Sequence, residues 1–211
     1  ERLEVSDWQE TVCRVGYQLA QALDYAHRRG VLHRDLKPAN ILLTGEALPQ
    51  LVDFNISFCS KLDGATPAAY FGGSLAYMSP EQLEACNPAH ERRPDSLQGT
   101  SDVYSLGIVL WELLTGTRPF VDEQLQDSWS TTLEQMVLTR RKGPNEQSLL
   151  DHPDCSEALA SVLMNCLEPH PNDRYASARH LASELRLCLQ PSARQLLRPR
   201  PNGWILRMRR H

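Results

Sequence analysis

Apolar residues recur at steps of three and four near the start of the chain, at Trp8, Val12, Val15, Leu19, Leu23 and Ala26. This spacing places their side chains on one face of a helix. Ser6 precedes the pattern and Gln9 follows three positions later, which is the signature of a capping box. Gly30 is the residue type that most often ends a helix. The pattern predicts a helix with one buried face between Ser6 and Gly30.

After this helix the period changes. Two short apolar runs, residues 41–43 and 51–52, lie on either side of a break at Thr44 and Gly45, which predicts a small two-stranded ribbon. Residues 54–80 contain Gly, Ser, Pro and Ala without any period, which predicts a long loop. Long loops inside compact domains are usually functional.

The segment from Val103 to Leu114 is apolar on almost every side, and such a helix belongs at the centre of a domain. Further patterns predict a surface loop at 85–100 and helices near 130–141, 156–168 and 177–189. No internal repeat is visible. The predicted fold class is mainly α, with one small β-ribbon and a long loop.

The length of 211 residues fits one domain, and 41% hydrophobic residues are typical of globular proteins. The six cysteines form no CxxC pair and the seven histidines show no HxxxH or HExxH spacing. Zinc and redox sites need such closely spaced ligands, so we expect reduced thiols and no structural zinc site.

Charge is distributed unevenly along the chain. Residues 191–211 contain six arginines and no acidic residue. Without these six, the 22 basic residues fall to 16, against 26 acidic ones. This acidic body argues against nucleic-acid binding, which needs a basic face. Residues 204–210 mix Trp, aliphatic residues and arginines, as the cytoplasmic flanks of membrane helices do. A solvated basic tail is the alternative.

The stretch most informative about chemistry is His-Arg-Asp-Leu-Lys-Pro-Ala-Asn at 33–40. Pro38 disfavours helix at Lys37, so the chain before it should be extended, with Asp35 and Lys37 on one face. A carboxylate beside an ammonium group suits a phosphate site, because one accepts a proton and the other neutralises an oxyanion. Asn40 and Asp53 add hard oxygen ligands of the kind that Mg²⁺ takes. A lone Asp-x-Lys is usually a surface ion pair, but here order and spacing coincide.

Five motifs in order carry a family resemblance. They are HRDLKPAN at 33–40, DFN at 53–55, SPE at 79–81, SDVYSLG at 101–107 and NDR at 172–174. Together they resemble the catalytic loop, metal-binding motif, activation-segment end, central helix and late arginine of protein kinases. The lysine two residues after Asp35 resembles the serine/threonine branch. The resemblance implies a kinase C-terminal lobe at 1–189 and a Pro/Arg-rich linker or basic juxtamembrane tail at 190–211.

The resemblance implies roles for individual residues. Asp35 would be the catalytic base, and Lys37 would hold the γ-phosphoryl group of ATP. Asn40 and Asp53 would hold Mg²⁺ between the ATP phosphates, and Asn40 would also belong to the catalytic loop chemistry. Leu42 would form the floor of the adenine pocket between its two apolar neighbours.

Other positions would regulate, dock substrate or support the site. Arg34 would bind a phosphorylated activation loop, for which we choose Thr66 as the phosphosite. Ser74 would contact the catalytic loop and help to admit a Ser or Thr acceptor. Five further residues would be structural: His33 and Phe54 in a packed column, Asp102 as an acceptor for the catalytic-loop backbone, and Glu81 with Arg174 as a buried ion pair.

The chain departs from the family in two respects. Asn55 stands where the family has Gly, and Asn is the next most tolerant residue of positive φ. None of the eleven glycines forms a GxGxxG loop, so we expect an N-terminal lobe to be missing and this piece alone to be inactive. Two interpretations compete with that of an active protein kinase. One is a pseudokinase or lone-lobe binding module, and the other is a small-molecule kinase.

We expect ATP, Mg²⁺ and proteins with Ser or Thr acceptors as partners. The expected location is the cytoplasm or the cytoplasmic face of a membrane, and a membrane anchor beyond residue 211 is one option.

Overall fold

Seven α-helices and one two-stranded sheet make up the computed structural model over the residues that it describes, 8–54, 74–121 and 128–190. The helices are α1 (Trp8–His27), α2 (Pro80–Cys86), α3 (Gly99–Thr115), α4 (Trp129–Lys142), α5 (Gln147–Leu150), α6 (Glu157–Cys166) and α7 (Ala178–Cys188). The strands are β1 (Ile41–Leu43) and β2 (Pro49–Leu51). The mainly helical fold class that the sequence predicts is confirmed.

Helix α3 forms the centre of this lobe, as its apolar pattern predicts. Twelve of its residues, from Ser101 to Leu114, are buried, and it contacts α1, α6 and α7. Gly107 permits the close approach of α6, since a Cβ at this position would lie 2.6 Å from the Cβ of Cys166. The helix ends at Gly116, which adopts the left-handed conformation that favours glycine.

Helix α1 buries most of the predicted apolar face, with Val12, Leu19 and Leu23 fully inaccessible to solvent, whereas Trp8 at its first turn is 42% exposed. It packs against α3 and α7. The chain leaves the helix through Gly30, whose φ of +75° agrees with its predicted role as a terminator. Ser6, the predicted capping residue, lies outside the described residues.

The predicted ribbon is also present. Strands β1 and β2 pair antiparallel, with Ile41 opposite Leu51 and Leu43 opposite Pro49. The ribbon packs on α1 and leaves the side chains of Leu42 and Leu43 exposed by 53% and 65%. Apolar side chains of this size on a short strand form a surface suited to an apolar ligand or to another part of a protein.

The structure contains two helices, α2 and α5, and one 3-10 turn that the sequence does not predict. Helix α2 begins at Pro80, and a 3-10 turn at Leu75–Tyr77 precedes it, so the end of the predicted 54–80 loop is ordered. Helix α5 has only four residues, which is too short for a periodic pattern. The other three helices near 130–141, 156–168 and 177–189 agree with α4, α6 and α7. None of the described helices is long and apolar enough to cross a membrane.

The five described cysteines, Cys13, Cys86, Cys155, Cys166 and Cys188, form no disulfide bonds. Burial raises the pKa of the Cys155 thiol to about 11, with Cys188 acting in the same direction. It raises the pKa of Cys166 further still. These thiols therefore remain protonated at neutral pH, and protonated thiols are poor nucleophiles and metal ligands.

The stack around Tyr104 supplies a stability prediction. Tyr104 is fully buried between the guanidinium of Arg174, 4.6 Å from its ring centre, and the ring of Phe120 at 6.4 Å. Its hydroxyl has no hydrogen-bond partner among the described residues. A buried unpaired hydroxyl destabilises the folded state by about 1–3 kcal/mol. We therefore expect Tyr104→Phe to raise the free energy of unfolding by about 1 kcal/mol in urea titrations.

Tyr77→Phe is the matched control, because the Tyr77 hydroxyl donates to Glu112 Oε2 at 2.6 Å. Its removal leaves the Glu112 carboxylate without this donor, so the same measurement should show a loss of stability. Equal destabilisation by the two Phe substitutions would show that the Tyr104 hydroxyl is satisfied.

Candidate active site

The loop at residues 33–40 is held by Asp102 of α3, which is 1% exposed. The Asp102 carboxylate accepts the backbone N–H groups of His33 and Arg34, each at 2.8 Å. His27 Nε2 lies 2.7 Å from the same carboxylate. These bonds support Arg34 at a φ of +64°, a conformation that a non-glycine residue adopts at some expense in energy. The predicted contact between Asp102 and the loop backbone is therefore formed.

His33 connects this loop to the residues around Asp53. Its Nε2 donates to the Val52 carbonyl at 3.1 Å, and its Nδ1 accepts the Asp35 N–H at 3.4 Å. One donor and one acceptor nitrogen define a neutral imidazole. Burial lowers the pKa of His33 despite the opposing charge of Asp102, which keeps the ring neutral. The ring centre lies 4.6 Å from that of Phe54, so both neighbours of Asp53 are fixed by His33.

Four polar side chains converge at the end of the loop. Lys37 is extended before Pro38, as predicted, and its Nζ lies 2.9 Å from Asp35 Oδ2 and 2.7 Å from Ser74 Oγ. Asn40 Nδ2 donates to the Asp35 backbone carbonyl at 2.8 Å and to Oδ2 at 3.2 Å. The other carboxylate oxygen of Asp35, Oδ1, is buried without a partner among the described residues. The arrangement orients one carboxylate with a free acceptor atom beside a fixed ammonium group.

The same loop offers oxygen atoms to a divalent cation. Asn40 directs its amide nitrogen to Asp35, which leaves its amide oxygen as the atom able to ligate a metal. Asp53 is exposed and has a φ of +57°. The N–H of the preceding residue, Val52, donates to the Asn40 carbonyl at 3.0 Å. The described residues contain no cluster of three or more His, Cys, Asp or Glu side chains that could hold a metal. A carboxylate plus an amide fits Mg²⁺, which protein sites often hold by one or two carboxylates together with substrate phosphates.

Two of the predicted regulatory positions can be located. Ser74 joins the Lys37 cluster, as described above. The Arg34 backbone carbonyl accepts from Gln82 Nε2 at 3.0 Å. The Nε of the Arg34 side chain is buried without a hydrogen-bond partner among the described residues. Thr66 lies outside the described residues.

Glu81 and Arg174 form the predicted ion pair, and it is bidentate. Arg174 Nη1 donates to Glu81 Oε1 at 2.6 Å and Nη2 donates to Oε2 at 2.9 Å. Ser101 Oγ adds a third donor at 2.8 Å. Burial by itself would raise the pKa of Glu81, but the Arg174 bonds bring it below its ordinary value. The pair therefore stays charged inside the protein and ties α2 to the segment before α7.

Sequence reasoning missed two residues that shape the site. Gln82 closes a capping box with Ser79 at the start of α2, and its side chain also holds the Arg34 carbonyl. Arg140 of α4 is 2% exposed and donates to carbonyls of the 75–78 segment. A Ser-Pro-x-Gln pattern signals the first of these. Nothing in the sequence distinguishes Arg140 from a surface arginine at the end of a helix.

Known proteins are similar to this sequence over most of its length. The family model of the protein kinase domain matches residues 5–185. The chain is 32% identical over 168 residues to the serine/threonine-protein kinase PknB of Mycolicibacterium smegmatis. The matched region covers 78% of the chain and 24% of that protein. PknB of Mycobacterium tuberculosis is 35% identical over 167 residues, with the same two shares. A probable serine/threonine-protein kinase of Streptomyces coelicolor is 34% identical over 173 residues, 81% of the chain and 23% of that protein.

The chain thus spans about a quarter of the length of the curated relatives that it matches.

Proposed function

Because the chain belongs to the protein kinase domain family, we propose that it is the catalytic lobe of a serine/threonine kinase that phosphorylates proteins. The observation that carries this proposal is the cluster in which Lys37 Nζ lies between Asp35 and Ser74, at 2.9 and 2.7 Å. A phosphotransfer site needs a proton acceptor and a cation held close to each other. Both are fixed here by a partly buried hydrogen-bond network.

In the proposed reaction Asp35 Oδ1 accepts the proton of the acceptor hydroxyl. The acceptor oxygen forms a bond to the γ-phosphorus of ATP, and the bond between this phosphorus and the β,γ-bridging oxygen breaks to leave ADP. Lys37 donates to the transferred phosphoryl group and offsets its negative charge. Asn40 holds Asp35 in place through two hydrogen bonds.

In this proposal Asn40 and Asp53 are the residues that would hold Mg²⁺ together with ATP. The Asn40 amide oxygen and the Asp53 carboxylate would hold the cation, which supplies charge neutralisation between the phosphates. Leu42 lies two positions after Asn40 in β1, and its exposed side chain would contact the adenine base. Apolar contact with a few polar groups is the usual composition of a nucleotide pocket.

These 211 residues alone are proposed to be inactive. A glycine-rich GxGxxG loop is absent from the sequence, and Leu42 and Leu43 remain more than half exposed on the ribbon. Both features fit a lobe that closes its nucleotide site with residues from elsewhere in a longer kinase. In that kinase we place the lobe in the cytoplasm or at the cytoplasmic face of a membrane, with residues 190–211 as a Pro/Arg-rich linker or a basic juxtamembrane tail.

Arg34 supports a proposal on regulation. Its buried Nε has no hydrogen-bond partner among the described residues, and a guanidinium group pairs well with phosphate. We propose that phosphorylated Thr66 supplies this partner.

Thr66→Ala in the complete kinase should lower the rate of phosphotransfer roughly tenfold, since it removes a charge-assisted contact to the catalytic loop. Initial rates with a peptide acceptor measure this, with Ser96→Ala, at an exposed position, as control. Full activity of the Thr66→Ala form would refute the assignment.

The proposed function is tested by the identity of the phosphorylated side chain. The complete kinase is incubated with Mg²⁺, ATP labelled at the γ-phosphate and a mixture of acceptor proteins, and the labelled products are hydrolysed. We expect label on serine and threonine. Label on tyrosine alone, or on a small molecule rather than a protein, would contradict the proposal.

A further inference from the structure

Helix α4 places a buried cation against the segment that follows Ser74. Arg140 lies in the last turn of α4 and is 2% exposed. Its Nε donates to the Met78 carbonyl at 2.7 Å, and its Nη2 donates to the carbonyls of Leu75 and Ala76 at 2.9 and 3.2 Å. One side chain thus holds three of the four carbonyls of residues 75–78.

The geometry of these contacts requires arginine. A guanidinium group presents its N–H donors in a rigid plane, so it can bind several carbonyls at once. A lysine carries a single ammonium group on a flexible stem and cannot reach the same set. The guanidinium carbon also lies over the Phe120 ring, 5.3 Å from its centre. Burial of a charge is unfavourable unless it is well bonded, and Arg140 meets this condition through the backbone of the 75–78 segment.

The segment that Arg140 holds is continuous with the catalytic cluster. Ser74 immediately precedes it, and Ser74 Oγ accepts from Lys37 Nζ at 2.7 Å. The 3-10 turn at Leu75–Tyr77 is closed by weak backbone bonds, from Tyr77 N–H to Ser74 and from Met78 N–H to Leu75, both at 3.2 Å. A turn of this kind depends on outside contacts for its shape.

We propose that Arg140 is a positioning residue that fixes residues 74–78 as the docking platform for the protein acceptor and thereby places Ser74 beside Lys37. The proposal rests on the proposed kinase function for its consequence in catalysis. In this proposal Arg140 acts through the 74–78 segment and contacts neither ATP nor the reacting atoms. Its loss should therefore affect the binding of the protein acceptor far more than the binding of ATP.

The test compares Arg140→Lys with wild type in the complete kinase. We expect the KM for a peptide acceptor to rise at least tenfold while the KM for ATP stays within twofold. Amide hydrogen exchange at Tyr77 and Met78 should accelerate at least tenfold, with exchange in α1 unchanged. Arg141→Lys is the matched control, because Arg141 is the next residue of α4 but is mostly exposed and pairs with Glu84. It should behave as wild type in both measurements.

Arg140→Gln is the second variant and replaces Arg140→Lys if the lysine form unfolds at the assay temperature. The same changes in peptide KM and in amide exchange are expected of it. Unchanged peptide KM and unchanged exchange at Tyr77 and Met78 would overturn the inference. So would an equal rise in both KM values with faster exchange throughout the lobe, because that result describes general destabilisation. A wild-type protein that transfers no phosphate would refute the proposed function, and the exchange comparison would still decide whether Arg140 fixes the segment.

Discussion

Asp35→Asn should reduce the rate of phosphotransfer by the complete kinase at least 100-fold, because general-base catalysis typically contributes about 10²–10⁴-fold. The substitution keeps the size of the side chain and one of its oxygen atoms. It removes the negative charge that accepts the proton of the acceptor hydroxyl. The KM for ATP should change little, since Asp35 is assigned to the acceptor and not to the nucleotide.

The expected fall in rate must be separated from a loss of folding. Asp95→Asn serves as control, because Asp95 is an exposed aspartate in a surface turn and has no assigned role. Initial rates at saturating ATP and peptide, together with thermal unfolding of each variant, give both answers. An Asp35→Asn enzyme with more than a tenth of the wild-type rate and an unchanged melting temperature would rule out Asp35 as the base.

Arg174→Met should destabilise the lobe by about 3–5 kcal/mol, the usual effect of removing one partner of a buried ion pair. Both side chains are nearly inaccessible, at 0% for Arg174 and 4% for Glu81. After the substitution the Glu81 carboxylate keeps Ser101 as a donor but loses both guanidinium bonds. The backbone carbonyls of Thr100, Glu168 and Pro169 lose their donors as well.

The free energy of unfolding from urea titrations measures this effect, and Arg179→Met is the control. Arg179 is exposed by 63% and lies 3.4 Å from Asp24, so its removal should have an effect below about 1 kcal/mol. The double variant Glu81→Met, Arg174→Met should recover part of the loss, because it leaves no buried charge unpaired. A loss for Arg174→Met as small as that for Arg179→Met would mean that the pair is not buried in solution.

The parts of the fold that could be predicted from sequence are those with a period or a motif. Helices α1 and α3 bury most of the residues that their patterns select, Trp8 being an exception, and the ribbon around Thr44 pairs as expected. The Asp35 and Lys37 contact followed from the effect of Pro38 on the preceding backbone. In each case local chemistry determines the result.

The rest depends on contacts between distant parts of the chain. Arg140 contacts carbonyls more than sixty positions earlier, and in sequence it resembles the exposed Arg141 beside it. The Tyr104 hydroxyl has no hydrogen-bond partner among the described residues, and only the surrounding packing shows this. Helix α5 forms within four residues, which is less than the length over which periodicity can be read.

The most direct measurement of the central claim is transfer of the γ-phosphoryl group of ATP to a protein acceptor, followed in parallel for the complete kinase and for these 211 residues alone. We predict transfer to serine and threonine by the complete kinase and none by the 211 residues. Equal transfer by both proteins would show that the lobe needs no further residues to close its nucleotide site. Failure of the complete, folded kinase to transfer phosphate would contradict the account and leave the cluster around Asp35 as a binding site.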